Sequence, residues 1–532
     1  MKHHDKILRL LQWGTAFAFF AAVGLAMALV TSKAPEKRQK VPRQASVLSA
    51  DIDTEKTQKP GAKVKRVAPA RNATYRELLD EGDRANFRGD LESAIASYIK
   101  ASALEPKELT PYIKIGDASF SKKDYSSALK YFQLAENMQP LDAGLKIKIV
   151  RTFIGMRKIL EAQTKLKSIS PPTQTTLYYQ GLFSALYNDQ DAAKKNLAQS
   201  AAAGNDKNMQ ETAKKILDAY DQFSIARDSP PDFLQAMLAQ IFDQAEEYGL
   251  AIELAFSALK SRYDYRDVWI VLGHSLLNER KFSDAEEAFG KAISLDAGHS
   301  APFFFRGMGR KLEKNFRVAA EDFEEALKLG WKPRVVAVQQ LADSYFELKN
   351  FDKAFPLYSE AAMTDPSDIR IFVRPMALAI NHLQKPAEAV LLAKKAYETH
   401  PNAAMGHNLL GWAALANGEL SSSQSHLEEA LKLDAALASA HLNRAQLAEL
   451  QNDWASARSG YEKAIELAKK SDDDSVGNTA ILRYNALKQK IEQAAAQGNT
   501  GILQALPKPA PDPQIELKSQ ATVPFIPSLS LQ

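Results

Sequence analysis

The 532-residue chain contains no cysteine. Disulfides, thiolate zinc sites, iron–sulfur ligation and cysteine nucleophiles are excluded together. The chain also lacks an excess of either charge: 68 Lys and Arg face 64 Asp and Glu, a net of +4. A dedicated nucleic-acid binder would carry a larger or more concentrated basic surplus. The motifs of common catalysts are missing as well, with no GxxxxGK[ST] loop, no HExxH and no GxSxG. Gly307-Met308-Gly309 has neither the third glycine nor the preceding strand of a dinucleotide site. The nine histidines are scattered, and the sequence points to no enzyme activity, no cofactor, no metal and no small-molecule substrate. What remains is 45% hydrophobic and 25% charged residues, an ordinary balance for a folded chain. By length alone, three or four domains are expected.

Residues Leu10–Ser32 carry no charge. At 1.5 Å per residue this run rises roughly 34 Å as a helix, enough to cross a hydrocarbon core of about 30 Å. A cleaved signal peptide could use Ala26-Met27-Ala28 as its cleavage site, but the length of the run favours an uncleaved anchor. Three basic residues precede the run and five follow closely. Counting them favours a cytoplasmic C-terminal side, whereas a short basic start before an apolar stretch is typical of exported chains. Residues 33–71 hold eleven Lys and Arg and four acids, a net of +7, with no aromatic residue. That composition predicts an extended tether, which either spaces the body from the membrane or is drawn to anionic headgroups. Residues 1–32 carry +2, so the remainder carries 4 − 2 − 7 = −5.

A 34-residue periodicity dominates the rest. Ala94, Tyr98, Ala101 and Pro106 recur as Ala128, Phe132, Ala135 and Pro140. Downstream the fullest instance is Trp269, Leu272, Gly273, Ala285, Phe289 and Ala292, followed by Gly307, Ala319, Phe323 and Ala326. Leu341, Tyr345, Ala354, Tyr358, Ala361 and Pro366 continue the lattice. Gly in a helix costs about 0.5–1 kcal/mol relative to Ala, so Gly82, Gly116, Gly181, Gly273, Gly307 and Gly411 at one register demand a packing reason. Two antiparallel helices in close approach supply one. Pro106, Pro140, Pro366 and Pro401 stand where the second helix must stop. Polar-then-apolar turns such as Asp124-Tyr125, Asn350-Phe351 and Asp453-Trp454 separate the two helices.

This lattice resembles the tetratricopeptide repeat. Repeats begin near Tyr75, Leu109, Ala143, Gln174, Asp232, Arg266, Ser300, Val335, Arg370, Ala404 and Ala438. The resemblance implies an all-α, right-handed superhelical solenoid of about eleven helix pairs, preceded by one transmembrane helix. The expected organisation is a basic segment with its transmembrane helix or signal anchor (1–32), a basic linker (33–74), an N-terminal repeat block (75–207), a helical joint (208–231), a C-terminal block (232–471), a capping helix (472–497) and a Pro-rich tail (498–532). The tail's alternating Pro507, Pro509, Pro511 and Pro513 suit either a frayed end or a docking peptide.

The resemblance also implies that the first helix of each repeat lines a groove that binds partner proteins or peptide segments. Groove positions give Phe120; Ile270, His274 and Leu277; Phe304, Met308 and Lys311; Gln339, Asp343 and Phe346; Arg374 and Asn381; Asn408 and Trp412. The alternative is that many of these side chains pack against the next repeat. Relatives that clamp acidic chaperone tails use Lys and Asn at positions five and nine, where this chain has Leu79/Asp83, Ile113/Asp117, Gln339/Asp343 and Asn408/Trp412. That departure weakens the likeness in layout to mitochondrial import receptors. The function expected is a membrane-tethered, non-enzymatic scaffold in a bacterial envelope assembly such as secretion, pilus biogenesis or polysaccharide export. Its location would be the inner membrane, single-pass, with the repeat body facing the periplasm. A cytoplasm-facing or organelle-surface receptor, or a regulatory subunit of a membrane enzyme, are the alternatives.

Overall fold

The computed structural model describes residues 73–204, 206–225, 230–471 and 473–496. The apolar segment 10–32, nearly all of the basic linker and the Pro-rich tail lie outside these residues. Among the described residues there are 24 α-helices, one short 3-10 helix and no strand, and no helix is long and apolar enough to cross a membrane.

The chain divides into two compact units between residues 217 and 218. The first holds four helix hairpins: α1 (Tyr75–Phe87) with α2 (Leu91–Leu104), α3 (Leu109–Ser121) with α4 (Tyr125–Met138), α5 (Ala143–Gly155) with α6 (Ile159–Lys167), and α7 (Gln174–Leu186) with α8 (Gln190–Ala203). A nineteen-residue helix, α9 (Lys207–Ile225), contains the division point. The second unit holds seven hairpins. These are α10 (Pro231–Gln244) with α11 (Tyr248–Ser261), α12 (Arg266–Asn278) with α13 (Phe282–Leu295), α14 (Ser300–Leu312) with α15 (Phe316–Lys328), and α16 (Arg334–Glu347) with α17 (Phe351–Thr364). There follow α18 (Val373–Asn381) with α19 (Pro386–Thr399), α20 (Ala404–Ala416) with α21 (Leu420–Leu433), and α22 (Ala438–Leu450) with α23 (Trp454–Ser471). Within each unit every hairpin packs on the next.

The recurring glycines sit where the two helices of a hairpin meet. A Cβ added to Gly273 would fall 2.6 Å from Phe289 Cε1, and one on Gly411 would fall 2.7 Å from Leu427 Cγ. Gly82 meets Tyr98, Gly116 meets Phe132 and Gly307 meets Phe323 in the same way. In four of these hairpins an aromatic ring occupies the space the missing side chain leaves, and all four rings and Leu427 are buried. Interiors packed to crystalline density have no slack for an extra carbon there.

One backbone feature marks all eleven hairpins. The residue at the turn takes a left-handed conformation: Gly89, Lys123, Arg157, Asn188, Glu246, Arg280, Lys314, Lys349, Gln384, Gly418 and Asn452, with φ between 53° and 81°. In ten of the eleven the next residue donates its N–H to a carbonyl five positions back, as in Asp124 to Ser119 and Lys281 to Leu276; in the hairpin of α18 and α19 Lys385 reaches six back, to Ala379. This is the Schellman closure of a helix end. The polar residue that follows often caps the second helix: Asp124 Oδ1 accepts the Ser127 N–H at 3.1 Å, and Asp90, Asp189, Asn350 and Asp453 do likewise. The Ser127 bonds lower the Asp124 carboxyl below the usual range.

The hairpin of α18 and α19 departs from the pattern. It enters through the 3-10 turn Ile369–Phe372, and α18 is only nine residues long. Pro375, buried in its first turn, supplies no N–H to that turn. At the other end, α24 (Asp474–Ala496) lies on α23 and α22. Its Ala480, Tyr484 and Leu487 close over Ala457, Tyr461 and Ala464, which would otherwise face water. Terminal repeats need such a cover.

Candidate partner-binding surface

The thirteen side chains singled out as partner-binding separate into three environments. Ile270, His274, Phe304, Met308 and Asn408 are buried. Phe120, Lys311, Gln339, Asp343, Phe346, Arg374 and Trp412 are half-buried, and Asn381 is exposed. Leu277, at the same register, is buried too.

Three of the buried members have specific partners. Phe304 on α14 stacks on Trp331 with ring centroids 4.1 Å apart and planes inclined by 11°. His274 on α12 directs Nδ1 at Asp243 of α10, 2.8 Å from Oδ2, while Asn278 Nδ2 lies 3.2 Å from its Nε2. Ser275 also donates to Asp243, at 2.6 Å. This is a packing network across two successive first helices. Asn408 on α20 donates to Ser439 at 3.1 Å and accepts from Asn443 at 2.9 Å, both on α22.

Three half-buried members form one charged cluster across α14, α16 and α18. Asp343 Oδ2 accepts from Lys311 Nζ at 2.7 Å, and Oδ1 accepts from Arg374 and, at 2.5 Å, from the Tyr358 hydroxyl. Lys311 also donates to Gln340 Oε1 at 2.7 Å. The Arg374 guanidinium lies 5.5 Å from the ring centroids of Phe346 and Tyr358, a cation–π geometry. Burial alone would raise the Asp343 carboxyl. Lys311 and Arg374 outweigh it and hold the group at about 2. Burial, and then the same carboxylate, push the Tyr358 hydroxyl well up.

This arrangement recurs in the first unit. Asp83 accepts from Lys114 at 2.7 Å and from the Tyr98 hydroxyl at 2.7 Å, and Asp117 accepts from Lys148 at 2.5 Å. In each case the acid stands at position nine of one repeat and the cation 31 residues later, on the next first helix. An isolated carboxylate at that register would repel a peptide terminus, but here each is neutralised by its neighbour. The 31-residue offset is visible in the sequence, and paired charges at that spacing mark Lys114 and Lys148 as members of the face; Tyr358, 15 residues from Asp343 on a second helix, carries no such signal.

A second cluster, not anticipated from the sequence, joins helices α13, α14 and α15. Asp322, buried, accepts from Arg306 at 2.7 Å and from Arg310 at 2.8 Å, and Arg310 reaches on to Glu286 at 2.6 Å. Arg306 further covers the Phe303 ring. Among the described residues no group of three or more His, Asp or Glu side chains is placed to hold a metal ion. The first-helix face thus offers half-exposed aromatic, amide and internally neutralised charged groups. Such a mixture can accept an extended peptide through hydrogen bonds and apolar contact.

Family models identify the repeat in two stretches of the chain. Two tetratricopeptide-repeat family models match residues 267–299 and 408–474, which cover α12 with α13 and most of the last two hairpins. The chain therefore contains tetratricopeptide repeats. No curated protein sequence matches it. Among solved structures, yeast Tom70 is 16% identical, with 81% of this chain and 99% of that chain covered and a TM-score of 0.27. The C-terminal part of a repeat-containing protein from Cytophaga hutchinsonii is also 16% identical, covering 44% of this chain and 95% of that one, with a TM-score of 0.37. PilF of Pseudomonas aeruginosa is 18% identical over 43% of this chain and 99% of that one, with a TM-score of 0.30.

Proposed function

We propose that this chain is a non-enzymatic interaction scaffold that is tethered to a membrane by residues 10–32 and holds partner proteins on the first-helix face of its repeats. The observation that carries this reading is the repeat itself: eleven hairpins share one turn geometry, and within each unit they leave a row of first helices with half-exposed polar and aromatic side chains. Repeats of this kind generally mediate contacts between proteins. The segment of α16, α18 and α20 bearing Gln339, Phe346, Asn381 and Trp412 is the proposed contact, because these side chains keep exposed surface while Ile270, Phe304 and Met308 do not.

The charge-free run Leu10–Ser32 supports the tether, and the net of +7 in residues 33–71 against −5 in the remainder suits a linker drawn to anionic headgroups. A bacterial inner-membrane protein with its repeats in the periplasm, serving an envelope assembly in secretion, pilus biogenesis or polysaccharide export, fits this layout. The test is quantitative co-purification from native membranes. Changing Gln339, Asn381 and Trp412 together to Ala should reduce partner recovery at least tenfold with helicity unchanged. Equal recovery would move the interface off this face.

A further inference from the structure

The hairpin of α20 and α21 carries two imidazoles that take no part in the proposed contact. His407 lies in the first turns of α20 and His426 lies midway along α21, and both are half-buried. Their Nδ1 atoms are 3.4 Å apart, with ring planes inclined by 41°. A hydrogen bond donated by a ring N–H prefers about 2.7–3.2 Å, so the two rings satisfy each other poorly. The same separation is what two nitrogens adopt on one tetrahedral metal ion. Two bonds of about 2.0–2.1 Å at a tetrahedral angle place the nitrogens about 3.3–3.4 Å apart.

The spacing is set by the hairpin and not by the imidazoles. Gly411 brings α20 against Leu427 of α21, and the Ser423 hydroxyl donates to the Gly411 carbonyl at 2.8 Å. Tyr397 of α19 packs its ring edge-on against His407, with centroids 5.0 Å apart. Ligands fixed by packing bind without the cost of ordering them.

We propose that His407 and His426 form a two-imidazole site for a borderline divalent transition ion of the Zn2+, Ni2+ and Cu2+ class, with solvent completing the coordination. Imidazole suits these ions, and carboxylate-preferring Mg2+ and Ca2+ are excluded by the ligand type. Structural zinc sites use four protein ligands, so two make an exchangeable site.

The experiment is titration of the full-length chain with Zn2+ in a His3→Gln, His4→Gln background, which removes the other adjacent imidazoles of the sequence. One equivalent should bind with micromolar affinity. His407→Gln or His426→Gln alone should weaken it at least tenfold, while His441→Gln leaves it unchanged. Zn2+ should also raise the unfolding midpoint of the background and of His441→Gln, but not of the other two. X-ray absorption of the Zn2+-loaded background, which needs no variant at the site, should count two imidazole ligands. Affinity unchanged by His407→Gln and His426→Gln, or fewer than two imidazoles on the metal, overturns the proposal.

Discussion

Asp343 is the residue on which the half-buried face of the second unit turns. Its carboxyl sits at about 2 because the two cations beside it overcome the effect of burial. A group depressed in the folded state stabilises the fold above its unfolded pKa of about 3.9 and ceases to do so as pH falls through its folded value. Asp343→Asn should therefore cost about 2 kcal/mol at pH 7, since the hydrogen bonds from Lys311 and Arg374 lose the carboxylate charge that strengthens them. Urea unfolding from pH 7 to pH 2 should show the gap between the two proteins closing only between about pH 4 and pH 2. Glycine gives a sharper pair. Gly273→Ala pushes a Cβ to 2.6 Å from Phe289. The overpacking costs about 1–3 kcal/mol, against a helix-propensity gain of about 0.5–1 kcal/mol, so the net change is destabilising. Gly290, in the interior of α13, has nothing within 4 Å of an added Cβ, and Gly290→Ala should stabilise by about 0.5–1 kcal/mol. Thermal melts of both variants check the assignment of one glycine to packing and the other to none.

At the scale of the element, most of the hairpins were legible from the sequence. Helices begin at Tyr75, Leu109, Ala143, Gln174, Arg266, Ser300, Ala404 and Ala438, the positions the repeat ruler marks. Close approach of two backbones requires a small residue opposite a large one, and that requirement is written in Gly82 with Tyr98 and in Gly273 with Phe289. The turns were less legible. Left-handed φ usually announces itself as glycine, but seven of the eleven turn residues are Lys, Arg, Glu or Gln, because the Schellman closure and the packed helices on either side enforce the conformation. The environments of Phe304 and His274 were hidden for another reason. Their cover is Trp331, at a helix–helix junction, and Asp243, 31 residues earlier at a different register. Spacing reports which face a residue occupies and not the size of the side chain placed over it. Two predictions belong here. Gly418 has φ of 81° and open space around it, so Gly418→Ala should cost about 1 kcal/mol from backbone strain alone. Removing α24 uncovers Tyr461, Ala457 and Ala464, and a chain ending at residue 473 should unfold at lower temperature than the full chain and self-associate in light scattering.

For the molecule as a whole, the small net charge of the sequence resolves into a basic segment before residue 72 and an acidic remainder. The described part is a series of hairpins in two units, and the features that vary between repeats lie on the first helices: neutralised Asp–Lys pairs at 83/114 and 117/148, the Lys311–Asp343–Arg374 cluster, and the exposed Asn381. The second helices also carry exposed acids, among them Glu287 and Glu428. Deleting residues 1–32 should move the protein to the soluble fraction on ultracentrifugation at low and high salt, the signature of an anchor that is apolar and not electrostatic. The most direct measurement of the scaffold reading places a photo-crosslinking amino acid in turn at Asn381 and Trp412 on the first-helix face and at Glu287 and Glu428 on the second helices, in the native membrane. Discrete protein adducts are expected from positions 381 and 412 and none from 287 and 428; adducts confined to 287 and 428, or absent from all four, would contradict it.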